Sequence, residues 1–124
     1  MASPSSPRLR FSRSQRMKTG RDFGRAKTQG QRVVCGCLIA NWIAGPVGSL
    51  SRLGVVTSRK IGGAVVRTRA RRLLREAFRL NQHRIARPVD IVLVARQSIV
   101  EKAFAAVEGD FVTALRRAEL LKTE

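Results

Sequence analysis

The sequence is poor in the side chains that usually carry protein catalysis. Its 124 residues include one histidine, His83, no tyrosine, and eight acids among which no carboxylate pair stands out. A protein active site needs acids, bases, nucleophiles or metal ligands in a mutually supporting set. The composition therefore argues against self-contained catalysis and favours a binding function, with no catalytic or metal-ligating residue predicted in the chain.

Cysteines and long hydrophobic runs are also scarce. Cys35 and Cys37 are the only cysteines, too few for a zinc site or a disulfide framework. We therefore expect both to be small buried residues, and the lack of a disulfide framework predicts a protein of the reducing cytoplasm. No apolar run approaches the 18 or so residues of a membrane span. A basic amphipathic helix can bind anionic lipid, but the core of a small domain needs that apolar face, so membrane binding is disfavoured.

Acidic residues are few compared with basic ones. The chain has 25 Lys and Arg against 8 Asp and Glu, a formal charge of +17, and 44% hydrophobic residues, which is typical of a folded domain that binds nucleic acid. Residues 1–17 contain no acid and are rich in Ser, Pro and Arg. They predict a flexible basic arm before one domain over 18–122, although an organelle transit peptide has a similar composition.

The hydrophobic pattern predicts an α+β fold, a small mixed sheet with helices mainly on one face. The predicted elements are a helix over 19–28 capped by Thr19, strands over 32–43 and 52–58, a helix over 65–83, a strand over 89–95 and a last helix to about residue 121. The first two strands are expected to pair as an antiparallel hairpin, and a further strand requires a break at Gly36. A capping box at 98–101 is expected to start the last helix.

The central helix has one apolar face and one cationic face. Cations at i,i+4 repel each other, by about 0.2–0.5 kcal/mol per pair, and only Arg72 and Glu76 are spaced for an attractive i,i+4 pair. This cost favours a polyanionic ligand. The pair Gly62-Gly63 before the helix supports phosphate binding at its N-terminus. The basic residues of this stretch are Arg59, Lys60, Arg67, Arg69, Arg71, Arg72, Arg75 and Arg79.

Residues 52–79, RLGVVTSRKIGGAVVRTRARRLLREAFR, resemble the protein subunit of bacterial ribonuclease P. Arg21-Asp22-Phe23 and residues 90–96 also match that family in order and spacing. The resemblance implies about four strands in the order α-β-β-β-α-β-α, with a left-handed β-α-β crossover against the general preference. It also implies a catalytic RNA partner, which binds most of the Mg²⁺ and removes the 5′ leader from precursor tRNA.

The resemblance also implies roles for individual residues. Thr68 stands where the family's Arg-Asn-Arg signature has Asn, Lys27 replaces an aromatic residue, and Asn41 or a near neighbour replaces a tyrosine. A cleft that binds the single-stranded leader, formed by Phe23, Lys27 and Asn41, is thus expected to depend more on charge than on stacking. Contact with the catalytic RNA is implied for Arg59, Lys60, Arg67, Thr68, Arg69, Arg71, Arg72, Arg75 and Arg79.

Two other functions stay open at the level of the sequence. A structural ribosomal or general RNA-binding protein, with no enzyme as partner, would have a similar composition. A nuclease that acts without RNA is disfavoured because the acids do not cluster in the sequence.

Overall fold

A computed structural model describes residues 13–17 and 20–122. Within these ranges the order α-β-β-β-α-β-α and the four-stranded mixed sheet confirm the predicted α+β class. The first helix ends one residue before Gly30, as predicted, whereas its proposed cap, Thr19, lies outside the described residues. The elements are α1 (Gly20–Gln29), β1 (Gln31–Cys35), β2 (Leu38–Ala44), β3 (Arg52–Val56), α2 (Ala64–Asn81), β4 (Val89–Ala95) and α3 (Phe104–Arg117).

The sheet has the strand order β1-β2-β4-β3. The predicted hairpin between the strands over 32–43 and 52–58 is wrong, because β4 lies between β2 and β3, antiparallel to the first and parallel to the second. A hairpin forms instead inside the first predicted strand, which breaks at Gly36, where φ is +56°. The apolar strand β4 takes the interior position since both of its faces are buried there. The left hand of the β3–α2–β4 crossover stays a prediction.

Helices cover both faces of the sheet rather than mainly one. Alternate residues of β4 point to opposite faces, so Ile91 and Leu93 join the large core under α2 and α3, while Val92 packs in a smaller cluster under α1. In the large core, the rings of Phe78 and Phe111 have centroids 6.4 Å apart. The short helix α1 thus occupies a face of its own, which leaves room for a cleft beside it.

The buried stripe of α2 is rotated by roughly 50° from the predicted apolar face on a 3.6-residue wheel. Phe78, expected at the edge of that face, is fully buried, whereas Leu73 and Leu80 are only half-buried. The reason is that α2 packs against α3 as well as the sheet, and Phe78 fills the space against Phe111. This rotation changes which cations of α2 face outward.

The last helix starts later than predicted. Residues Gln97–Glu101 form a 3₁₀ turn anchored by the fully buried Ile99, and α3 begins only at Phe104. Ala103 is its N-cap and supplies no side-chain hydrogen bond, so the predicted capping box at 98–101 is wrong. Lys102 and Ala103 are extended, which shows that burying Ile99 directs this segment more strongly than the local capping preference does.

Replacing Gly109 by alanine is expected to raise the free energy of unfolding by about 0.5–1 kcal/mol. Gly109 is exposed inside α3, and an added Cβ would meet nothing within 4 Å. Urea denaturation measures the change. Gly36→Ala serves as the opposite control, because it combines φ +56° with a Cβ against the Asp110 carboxylate and should destabilise. A Gly109→Ala protein no more stable than the original would contradict the expectation.

The segment 13–17 packs along the outer edge of β3. The Met17 amide donates to the Leu53 carbonyl at 2.9 Å, and the Gln15 side chain donates to the Ser51 carbonyl at 3.1 Å. Gln15 and Met17 are buried. These five residues therefore pack with the domain, although the sequence placed them in a flexible arm over 1–17; residues 1–12 lie outside the described part of the chain.

Candidate nucleic-acid interface

A short turn presents Arg59 and Lys60 ahead of α2. The hydroxyl of Ser58 accepts a hydrogen bond from the Lys60 amide at 3.3 Å, and the buried Ile61 anchors the turn Arg59–Ile61. Gly62 follows with φ +148°, and a Cβ there would strike the Val66 side chain. The glycine therefore permits the close turn that leaves both cations exposed beside the N-terminus of α2.

One of the α2 cations is neutralised within the chain. Arg79 forms two bonds to Glu76, Nη2 to Oε2 at 2.6 Å and Nε to Oε1 at 2.9 Å. The predicted pair of Arg72 with Glu76 is therefore wrong, because the i,i+3 arginine binds both carboxylate oxygens at once. The hydrogen bond from Arg79 lowers the pKa of Glu76, so this carboxylate stays charged at neutral pH, and the surplus charge of the face lies on Arg72 and Arg75.

Arg75 lies in a strongly positive environment. Partial burial and the neighbouring charges of Arg16 and Arg71 all lower its pKa, which means that its charged form is disfavoured in the free protein. An anion beside Arg75 would relieve that repulsion. A groove of about 800 Å³ runs along this face and is lined by Arg16, Arg72, Leu73, Arg75, Glu76, Arg79 and Phe104.

The other basic residues of α2 point to its flanks. Arg71 donates to the Thr57 hydroxyl at 2.8 Å and to the Thr68 hydroxyl at 3.2 Å, on the β3 side. Arg69 donates to the Lys102 carbonyl at 2.8 Å, on the α3 side. Arg67 is turned partly inward, and its buried Nε has no hydrogen-bond partner among residues 13–17 and 20–122. The Arg71 and Arg69 bonds use neutral acceptors, so these guanidinium groups are positioned while their positive charge is kept.

The three residues predicted for a leader-binding cleft lie together on the opposite face of the sheet. Phe23 and Lys27 come from α1 and Asn41 comes from β2, and all three line one cleft of about 520 Å³. Lys27 is exposed at this cleft, whereas Asn41 is 7% exposed. The remaining lining residues are Gly24, Arg32, Ile39, Val56, Val92 and Val94.

Arg32 is a basic residue of this cleft that the sequence did not reveal. It pairs with Asn41 across β1 and β2, which places the two side chains on the same face of the sheet. The strand split at Gly36 would have been the signal, because it fixes the register of the hairpin. With Lys27, Arg32 gives the cleft two exposed cations above an apolar floor.

An ion-pair network attaches α1 to the sheet beside the cleft. Arg52 of β3 binds Asp90 of β4 through Nη2 at 2.7 Å and Nε at 3.0 Å, and its Nη1 lies 3.4 Å from Asp22 of α1. The hydrogen bonds to Asp90 are the largest of the effects that raise the pKa of Arg52. The network thus fixes the start of α1, and with it the neighbouring Phe23, over the sheet.

Phe23 packs directly over the backbone of Gly54. A Cβ added at that glycine would lie 2.6 Å from Cζ of the phenyl ring, far inside van der Waals contact. Only glycine leaves space for the ring in its present position. The Arg52 network and Gly54 together determine where the Phe23 ring lies in the cleft.

The residues described here hold neither a metal centre nor a membrane helix. Over 13–17 and 20–122, no three His, Cys, Asp or Glu side chains group closely enough for a metal ion, and no helix is long and apolar enough for a bilayer. His83 is exposed beyond the end of α2. Cys35 and Cys37 are buried free thiols, as expected, and burial raises the pKa of Cys37 to about 12.

Comparison with known proteins gives consistent matches over most of the chain. The model of the family Ribonuclease P matches residues 11–119. The ribonuclease P protein component of Desulfatibacillum aliphaticivorans is 39% identical over 92 residues, which are 74% of this chain and 77% of that protein. The component of Roseiflexus sp. (strain RS-1) is 38% identical over 111 residues, 89% and 90% of the two chains.

Solved structures show the same fold. The ribonuclease P protein of Staphylococcus aureus superposes with a TM-score of 0.77 at 25% identity, covering 87% of this chain and 98% of that one. The protein from Thermotoga maritima gives 0.73 at 29% identity, covering 82% and 96%.

Proposed function

Because the chain belongs to the ribonuclease P protein family, we propose that it is the protein subunit of a ribonucleoprotein endonuclease that removes the 5′ leader from precursor tRNA. Its partners are then a catalytic RNA and the precursor tRNA. In this proposal the RNA binds most of the Mg²⁺. The contribution of this chain is to bind and position RNA.

The cationic face of α2 is the feature that supports this proposal most directly. Arg72 is exposed, and partial burial together with the neighbouring charges of Arg16 and Arg71 lowers the pKa of Arg75. Phosphates of a folded RNA along this face would relieve that repulsion and release counterions. Arg59 and Lys60 extend the same positive surface past the N-terminus of the helix, where phosphate binding is favourable.

The cleft between α1 and the sheet is assigned to the single-stranded leader. The ring of Phe23 offers a surface for one base, and stacking of this kind contributes about 1–3 kcal/mol per base. Lys27 and Arg32 are exposed beside it and suit the leader phosphates. Since the cleft and the α2 face are on opposite sides of the sheet, the protein can hold the leader while it contacts the catalytic RNA.

Reconstitution with a bacterial ribonuclease P RNA at low Mg²⁺ tests this function. We expect the added protein to increase the rate of leader cleavage. No increase would favour a general RNA-binding protein instead. Cleavage by the protein without RNA, abolished by EDTA and by replacing one of its own carboxylates, would indicate a protein nuclease.

Replacing Arg72 by alanine is expected to weaken binding to the catalytic RNA about tenfold, the equivalent of about 1.4 kcal/mol. The slope of log affinity against log salt should fall in magnitude by about one, because one phosphate contact is lost. Filter binding over a salt series measures both. Arg25→Ala, on the exposed side of α1, removes the same charge as a matched control. Equal affinities for the two variants would contradict a phosphate contact at Arg72.

A further inference from the structure

A second group of cations lies at the end of the domain where α2 and α3 finish. The segments that follow the two helices are joined there, since the Lys122 amide donates to the Arg84 carbonyl at 2.8 Å and Ile85 pairs with Leu121. We call this region the terminal basic surface. Its five members are all exposed: Arg84, Arg87, Arg116, Arg117 and Lys122.

Among the residues that the structure describes, no ion pair joins a cation of this surface to an acid. Glu108 accepts a hydrogen bond from Asn81 at 2.9 Å, and Asp110 accepts from the Cys37 amide at 2.9 Å. Glu119 is exposed beside the cations. Favourable interaction with a helix C-terminus explains cations within the last turn, such as Arg116 and Arg117. It does not explain Arg87 and Lys122, which lie beyond the helices.

A groove of about 360 Å³ opens on the same surface. Its lining includes His83, Arg87 and Lys122 together with Ser49 and Gln82, and none of its lining residues within 13–17 and 20–122 is acidic. Groups of this kind, cations with hydroxyl and amide neighbours, are those that bind phosphate oxygens. The groove therefore fits a phosphate backbone better than it fits a metal ion.

Arg87 is held in place at this groove. Its guanidinium carbon lies 5.8 Å from the centre of the Trp42 ring, and its Nη1 donates to the Glu119 carbonyl at 3.4 Å. Stacking on an indole restricts an arginine without neutralising it. The side chain is thus positioned while its charge stays available to a ligand.

We propose that the catalytic RNA which lies along α2 continues over the terminal basic surface and is bound there through its backbone phosphates. This inference rests on the proposed function. The groove along α2 is lined by Arg79, and the groove on the terminal basic surface is lined by Gln82. These two lining residues are three positions apart, which is less than one helical turn, so the two grooves adjoin. With 18 residues, α2 is about 27 Å long. A ligand that reaches from Arg59 to Lys122 must span that length, which suits a large folded RNA.

The test compares two double variants that remove the same charge. Arg87→Gln/Lys122→Gln alters the terminal basic surface, and Arg21→Gln/Arg25→Gln alters exposed positions on α1. Binding to the isolated ribonuclease P RNA is measured over a salt series. We expect the terminal variant to bind about tenfold more weakly than the α1 variant, with a salt slope smaller by about two. Equal affinity and slope for the two variants would overturn the proposal.

A second variant protects the test against a change of fold. Arg116→Gln/Lys122→Gln leaves the contact of Arg87 with Trp42 intact and should show a similar loss. Trp42 is the only tryptophan, so its fluorescence should change when RNA binds and should respond less in the Arg87 variant. An unaltered response would count against Arg87 as a contact.

The outcome also separates this inference from the function on which it rests. If the original protein does not bind ribonuclease P RNA, the proposed function fails. If it binds, and Arg72→Ala weakens binding while both terminal variants match the α1 control, the proposed function stands and the inference about the terminal basic surface is wrong.

Discussion

Replacing Arg52 by methionine is expected to lower the free energy of unfolding by about 3 kcal/mol. Asp90 is only 6% exposed, and the substitution removes the fork that binds both of its oxygens. Loss of one partner of a buried ion pair costs about 3–5 kcal/mol, because the other charge stays buried without compensation. Because the Arg52 side chain is itself 32% exposed, we expect a loss at the low end of that range. Urea denaturation measures it.

Two further variants separate charge from geometry at this site. Arg52→Lys keeps the positive charge but cannot bind both Asp90 oxygens in the same plane, so an intermediate loss is expected. Arg52→Met/Asp90→Leu removes both charges and should recover part of the stability, since no unpaired carboxylate is left. A double variant less stable than Arg52→Met alone would show that the pair is not the cause of the loss.

The network has a functional consequence because it joins three elements that the sequence left unconnected. Asp22 of α1, Arg52 of β3 and Asp90 of β4 are far apart in the chain, and no local pattern indicates that they meet. All three lie in stretches on which the resemblance to the ribonuclease P family rests. The structure gives a physical reason for those residue types, since they hold α1 over the sheet and so shape the cleft.

Elements with a strong hydrophobic pattern, either a continuous apolar run or a helical period, were predictable from the sequence. The strand over 89–95 matches β4 residue for residue, and the helix over 65–83 begins one residue after the start of α2 and ends two residues beyond its end. The pairing of the strands was not predictable in this way, because it depends on which strand occupies the sheet interior. The rotation of α2 was missed for a related reason, since a helical wheel ignores the second packing partner, α3.

The candidate sites were predictable to different degrees. Phe23, Lys27 and Asn41 do lie in one cleft, but their roles in leader binding stay predictions, as do the RNA contacts of α2. The charges of α2 were visible in the sequence, whereas their partners were not: Arg79 binds Glu76, and Arg71 binds Thr57 across 14 residues. Long side chains choose partners by three-dimensional reach, which sequence spacing alone does not determine.

Replacing Phe23 by alanine is expected to weaken binding of precursor tRNA by the holoenzyme about tenfold, and to leave binding of tRNA without a leader unchanged. Among the residues that the structure describes, Phe23 is the only aromatic side chain that lines the cleft, and loss of one stacked base costs about 1–3 kcal/mol. Affinities for RNAs with and without a leader, measured with the same reconstituted holoenzyme, isolate this contribution from assembly.

Gly54→Ala gives a matched variant in which the ring is kept but displaced. The added Cβ would lie 2.6 Å from the ring, so Phe23 must move, and overpacking of this kind typically costs about 1–3 kcal/mol of stability. If the position of the ring matters, Gly54→Ala should lose part of the leader-dependent affinity although every cation of the cleft remains. If Phe23→Ala weakens both RNAs equally, the cleft does not bind the leader. If Phe23→Ala loses leader-dependent affinity and Gly54→Ala does not, an aromatic surface is sufficient at this position. The placement of the ring by Gly54 would then not contribute to binding.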